Sequence, residues 1–245
     1  GGPALPPDER HAWGRVACPA GPAAIELMVS LLRQPMGVGV TIELLPPPME
    51  PALDRLGLDA VDLAQLRETL SAPAGLGLIA GPPGSGGSTM LEAMAVELER
   101  EKRRCVRWNA AGPAAAGHGD SATEALSTGR IHGADAVALD DVSPDALDHT
   151  LAPEGSGQWV LARVAATDTF ALLEHLASRP IERAALAERL RFVVQQRRAW
   201  RARESAPGVP GATSPWRCSV FEVLLVDDGL RAAIRSGEPG ERLCA

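Results

Sequence analysis

Leu76-Gly77-Leu78-Ile79-Ala80-Gly81-Pro82-Pro83-Gly84-Ser85-Gly86-Gly87-Ser88-Thr89 is the stretch on which the reading of the whole chain turns. Residues 76–80 form a short apolar run suited to a buried parallel strand. Gly81 to Ser88 is glycine-rich, and Thr89 to Arg103 reads as a helix with Met90, Leu91, Met94 and Leu98 apolar. Strand, glycine loop and helix in that order are the context of a G-x-x-x-x-G-K-[S/T] phosphate loop. Glycines let consecutive backbone N–H groups converge, and the helix adds its positive end. Gly81, Pro82, Pro83, Gly84, Ser85, Gly86, Gly87, Ser88 and Thr89 are therefore the nucleotide-binding candidates. Ser88 stands where a hydroxyl would ligate Mg²⁺, the only metal role expected of it. Gly87 stands where the pattern has lysine, so the charge that clamps the β- and γ-phosphates is missing. Lys102, the sole lysine of the chain, is about 22 Å further along by helix rise and no substitute.

Fifty residues on, Ala136-Val137-Ala138-Leu139 runs into Asp140-Asp141. An apolar strand ending in carboxylates is the Walker B arrangement, which sets an acid beside the metal or the attacking water. Between and beyond these motifs, strands and helices alternate. Asp62–Leu70 and Asp120–Thr128 have helical character, Cys105–Trp108, Gln158–Val164 and Val220–Val226 strand character. Helices are also expected over Pro144–Leu151, Thr169–Ser178, Ile181–Arg203 and Asp228–Arg235. From residue 75 to 180 the alternation predicts an α/β domain with a mainly parallel sheet. N-terminal to it, Arg15–Cys18, Ala24–Val29 and Val38–Leu45 read as strands of a small β-rich piece. It closes at Pro46-Pro47-Pro48.

The chain has 245 residues, 45% of them hydrophobic, enough for one large or two small domains. The net charge of −7 argues against a large nucleic-acid surface. No apolar run reaches the roughly 18 residues that span a bilayer, and the N-terminal residues do not have a signal-peptide pattern, so a cytoplasmic protein is expected. Cys18, Cys105, Cys218 and Cys244 lack metal-ligand spacing, and no zinc site is expected. His118, His132 and His149 read as surface residues, and the Arg197–Arg203 cluster as a solvated helix face.

With these residues in view, the chain resembles the hexameric ATPases of type II secretion and type IV pilus assembly, within the type II/IV secretion ATPase group. The resemblance runs from about Arg15 to Ile234. Leu56-Gly57-Leu58 and Gly77–Thr89 are similar to "LGL … GLILVTGPTGSGKST". Asp135–Val142 is similar to "DVIMVGEI", and Val160-Leu161 followed by Thr167-Asp168 to "VLSTLHTND". Leu190–Arg198 is similar to "GVVAQRLVRRL", and Arg217–Leu224 to "RTGIFEVL". Residues 1–12, Pro-rich and polar, read as a flexible terminus. The resemblance implies a small N-terminal α/β domain (13–55) and a RecA-like P-loop domain with a C-terminal helical part (56–245). It also implies ATP or ADP with Mg²⁺, self-assembly or assembly with related subunits, and inner-membrane secretion or pilus components as partners.

The departures carry as much information as the matches. The family's catalytic Walker B Glu falls on Asp141, its "His box" histidine on Ala165, and its acidic box near Val106–Asn109. Its arginines in the 119–135 segment fall on Glu124, Ser127 and Ile131, with Arg130 adjacent but out of register. The zinc-binding tetracysteine insertion, due between Arg198 and Arg217, is a Pro/Gly loop. The resemblance therefore implies a degenerate pseudo-ATPase, a structural or regulatory component. Its alternatives are an active motor with another cation such as Arg130, or a nucleotide sensor without turnover. On this reading Gly87→Lys alone restores nucleotide binding but not hydrolysis.

Overall fold

The computed structural model describes residues 10–20, 23–45, 51–109, 121–143, 147, 157–178, 183–201 and 216–237. Its contacts divide the chain into two compact units, 1–50 and 51–245.

In the first unit three strands form an antiparallel meander: β1 (His11–Ala20), β2 (Ala23–Gln34) and β3 (Gly37–Leu44). Val16 pairs with Leu27, and Leu27 with Leu44. The three strand expectations are met, the first two lengthened and the third shifted by one residue. No helix occurs among the described residues of this unit.

The second unit is built on a six-stranded sheet of order β5-β6-β7-β4-β8-β9. Its strands are β4 (Gly75–Gly81), β5 (Cys105–Asn109), β6 (Ala136–Val142), β7 (Trp159–Ala165), β8 (Leu190–Arg201) and β9 (Trp216–Leu225). Every pairing is parallel except β8 with β9. All seven residues of β4 are buried, as a strand covered on both faces must be. One face carries Leu76, Leu78, Val137, Leu139, Val160 and Val164, covered by α3 (Ser121–Ile131), α4 (Thr169–Ala177), α5 (Arg183–Arg189) and α6 (Asp228–Ser236). The other carries Ile79, Ala136, Ala138, Trp159, Leu161 and Phe192, covered by α1 (Ala60–Leu70) and α2 (Gly87–Arg100). Trp159 is fully buried there, and its indole N–H donates to the Ala72 carbonyl at 2.7 Å.

Local chemistry sets the helix starts. Asp59 accepts from the Val61 and Asp62 amides, and Asp168 from Phe170 and Ala171, at 2.8–2.9 Å. Each cap satisfies first-turn donors that would otherwise lack partners.

One expected element is corrected. Ile181–Arg203 is not a long helix: α5 ends at Arg189, and Leu190–Arg201 is strand β8 beside β4. The residues from 190 to 194 are Leu-Arg-Phe-Val-Val, apolar apart from Arg191 and ending in two β-branched valines, and Leu190, Phe192, Val193 and Val194 are fully buried against the sheet's two covers. Burial on both faces overrode the Ala/Arg-rich helical character of the flanks. Most of the Pro144–Leu151 helix expectation lies outside the described residues.

Candidate functional site

The glycine loop leaves the C-terminal end of β4 and enters α2. Gly84 and Gly86 have φ of +78° and +101°, conformations that side chains with a Cβ rarely adopt. Ser85 N–H donates to the Pro82 carbonyl at 3.1 Å. The first bonds onto the helix come from Thr89 and Met90 to the Gly86 carbonyl, at 3.0 and 3.1 Å. The N–H groups of Gly87 and Ser88 lie ahead of them in the first turn, and Gly86 supplies no side-chain cap. First-turn N–H groups of this kind are what an anion can accept from. Ser88 and Thr89 are exposed in the first turn, as are Pro83 and Gly84 at the loop tip, while Gly81, Ser85 and Gly87 are buried.

Strand periodicity then brings a third group to the loop. On β6, Val137 and Leu139 face away from α2, so Asp140 falls on the α2 face with Ala136 and Ala138. On β7, Arg163 falls on that same face with Trp159 and Leu161. The register pairs Leu139 with Ala162 and then Val142 with Val164. The extra residue is Asp141, at φ +61°, a bulge at the strand end. Arg163 Nε donates to Asp140 Oδ1, and Arg163 Nη2 lies 3.1 Å from Asp141 Oδ1. The side chains of Arg163 and Asp140 are 16% and 17% exposed, that of Asp141 51%.

Arg163 also explains Gly87. A Cβ at position 87 would stand 2.8 Å from Arg163 Cδ and 3.2 Å from its Cγ. The side-chain space of the missing lysine is filled by the stem of an arginine from the neighbouring strand. Sequence reasoning missed Arg163. The available signal was an arginine at an α2-facing position of an otherwise apolar strand, with Asp140-Asp141 one strand away. The cation named instead, Arg130, is exposed in the last turn of α3.

On the other side of the loop, Gln196 of β8 packs on Gly86. The residue is 3% exposed, its Nε2 is 2.8 Å from a Cβ built on Gly86, and its Oε1 has no partner among the described residues. Arg198, Trp200 and Arg217 line a pocket of about 300 Å³ with Pro82, Pro83 and Ser85. The Arg217 guanidinium lies 4.6 Å over the Trp200 ring, a cation–π contact. Ala165, at the position of the family's histidine, lines an apolar pocket with Pro82, Pro83 and Leu172, and His175 of α4 reaches the same space.

Where the resemblance puts an acidic box, β5 carries a cation with a structural job. Arg107 Nε donates to both Glu92 oxygens at 2.8 and 2.9 Å, and its two terminal nitrogens to Glu99 at 2.6 and 2.8 Å. These bonds tie β5 to α2 and hold the Glu99 carboxyl below its ordinary range. Beside them, burial pushes the Cys105 thiol up to about 11.

The residues present fit a phosphate group: first-turn amides, the helix end and nearby Arg198 all favour an anion. They do not fit a magnesium ion. Its expected ligand was Ser88, beside the Walker B carboxylates, yet Asp140 and Asp141 both lie on a guanidinium that cannot be deprotonated. A dication there would sit against a fixed positive charge. No group of three or more His, Cys, Asp or Glu placed to hold a metal occurs among the described residues. Most of the 199–216 segment, where a zinc insertion was considered, lies outside them.

No protein-family model matches the sequence, and no curated protein matches it. Solved structures do. The ATPase DotB of Legionella pneumophila aligns with 96% of this chain and 68% of its own, at TM-score 0.72 and 14% identity. The ADP-bound pilus retraction motor PilT aligns with 95% of this chain and 69% of its own, at TM-score 0.72 and 16% identity. The Yersinia pseudotuberculosis ATPase DotB follows at TM-score 0.64 and 14% identity, over 92% of this chain and 66% of that one. A mainly parallel sheet with a glycine loop at the end of its central strand, together with a separate three-stranded antiparallel sheet, gives this chain the fold of the ATPase DotB and the pilus retraction motor PilT.

Proposed function

We propose that this chain is a pseudo-ATPase: a secretion- or pilus-type ATPase fold that keeps its phosphate cradle, Gly81–Thr89, and has lost turnover. The observation that carries the reading is position 87. The lysine is absent, its space is closed by Arg163, and the Walker B carboxylates are spent on that arginine. Losing one preorganised charge of this kind costs on the order of 10²–10³ in rate, and here the Walker B carboxylates are engaged as well. Asp141 is the residue left to act as the acid of the site, and its ion pair with Arg163 opposes that role. Ala165 adds no proton-transferring group.

The reading makes the chain a structural or regulatory subunit. It would assemble with copies of itself or with related ATPase subunits, at the cytoplasmic side of a secretion or pilus machine. Residues 13–55 would be its small N-terminal domain and 56–245 its RecA-like domain. In support, the fold is that of the solved ATPases, and no helix among the described residues is long and apolar enough to cross a membrane. The retained cradle favours a subunit that holds nucleotide without consuming it.

Steady-state ATP hydrolysis by the purified chain tests this. Turnover is expected at background for the wild type and for Asp141→Asn alike. Robust wild-type hydrolysis that Asp141→Asn abolishes would overturn the reading in favour of a working motor.

A further inference from the structure

We infer that the Arg163 guanidinium is a tethered counter-cation standing in for both the loop lysine and the metal ion, so that a nucleoside di- or triphosphate binds the Gly81–Thr89 cradle without a divalent cation. This rests on the phosphate-loop reading above and adds what that reading leaves open, the charge that balances the ligand.

Three observations converge. The first is position: strand alternation places Arg163 on the α2 face of β7, and its stem lies 2.8 Å from the Cβ that residue 87 lacks. Glycine at 87 is the condition for the arginine to pass. The second is the hydrogen bonding. Arg163 Nε donates to Asp140 Oδ1 and Nη2 lies 3.1 Å from Asp141 Oδ1, so both carboxylates are met along one edge of the guanidinium, the edge away from Nη1. A planar guanidinium can hold carboxylates along one edge and offer its remaining donors to phosphate oxygens. The third is the charge count. Two carboxylates against one guanidinium leave one negative charge in excess. The α2 N-terminus and Arg198, whose Nη2 is 3.6 Å from a Cβ built on Gly86, supply positive potential from the other side of the loop. The excess charge sits on Asp141, which is half-exposed and off the regular strand path.

The site so built predicts a sign opposite to that of a metal-dependent one. Where Asp141 holds a metal, its removal weakens nucleotide binding. Where Arg163 is the cation, Asp141→Asn removes a repelling charge and frees guanidinium donors, so binding tightens.

The experiment titrates the full chain with a fluorescent ADP analogue and with ATP, in excess Mg²⁺ and in EDTA. Wild type, Asp141→Asn and Arg163→Thr are compared, and hydrolysis is followed in parallel. The inference expects wild-type dissociation constants in the two buffers to agree within about threefold. It expects Asp141→Asn to tighten binding in EDTA by roughly threefold to tenfold. Arg163→Thr should weaken binding in EDTA by about tenfold or more, with part of the loss recovered by Mg²⁺ on the freed carboxylates. Should Arg163→Thr not fold, the sign of the Asp141→Asn effect decides alone. Wild-type binding that requires Mg²⁺, weakening by Asp141→Asn, or no nucleotide binding in EDTA each overturn the inference. If hydrolysis stays at background in those cases, the pseudo-ATPase reading survives; Mg²⁺-dependent turnover overturns both.

Discussion

Gly87→Ala should destabilise this protein, although alanine is the better helix former. The position opens α2 and its φ is not in the left-handed region, so the backbone accepts a Cβ, and the substitution by itself is worth about 0.4–1 kcal/mol in favour of folding. The new Cβ, however, lands 2.8 Å from Arg163 Cδ, 3.2 Å from Cγ and 3.5 Å from Ile79 Cγ2. Arg163 has to move. An off-rotamer side chain costs roughly 0.5–1.5 kcal/mol, and each hydrogen bond to a charged partner that is loosened costs about 1.5–3 kcal/mol more. The Asp140 bond is the one at stake, since both partners are largely buried. The net expectation is a loss of roughly 1–3 kcal/mol. In an Arg163→Ala background the obstruction is gone, and Gly87→Ala should become neutral or stabilising by up to about 1 kcal/mol. A double-mutant cycle by equilibrium urea unfolding, without nucleotide, would thus show a coupling of about 1–4 kcal/mol. Equal effects of Gly87→Ala in the two backgrounds would refute the claim that Arg163 occupies the lysine's space. The same geometry revises the expectation that Gly87→Lys alone restores nucleotide binding: a lysine cannot enter until Arg163 leaves, so Gly87→Lys should fail and Gly87→Lys with Arg163→Ala is the pair to test.

Packing elsewhere in the sheet sets two more outcomes, one at the central strand β4 and one at the edge strand β5. A Cβ at Gly77 would fall on the Phe192 ring between β4 and β8; Gly77→Ala should cost about 1–3 kcal/mol of overpacking strain, and an unchanged urea midpoint would contradict that contact. Cys105 should react with a thiol reagent at pH 8 more slowly in the folded than in the unfolded chain, because burial pushes its thiol up to about 11. The folded state therefore holds the proton more tightly. The stability this contributes is fully present below the unfolded thiol's pKa and is lost as pH rises towards about 11. Cys105→Ala should flatten that alkaline loss, and unfolding midpoints measured across that window check it.

The strand–glycine–helix passage at 76–103 was legible in the sequence because its information is local. An apolar run, a Gly-rich turn and a 3.6-residue period each report on neighbours in the chain, and Gly84 and Gly86 carry the turn's backbone demand on their own. The carboxylates of 140–141 were legible for the same reason, as a strand end. Leu190–Arg201 was misread because its composition suits a helix, while its conformation is set by non-local neighbours, β4 on one side and β9 on the other. Arg163 is the clearest case of what only the tertiary structure decided. It lies 76 positions from Gly87 and 23 from Asp140 in the chain. Its meaning depends on strand order β6-β7-β4 and on the register that sets it beside Asp140. The sequence by itself determined a phosphate loop without its lysine; the parallel register of distant strands decided that an arginine fills the gap and takes the carboxylates with it, because side-chain space and charge are shared across a sheet rather than along the chain.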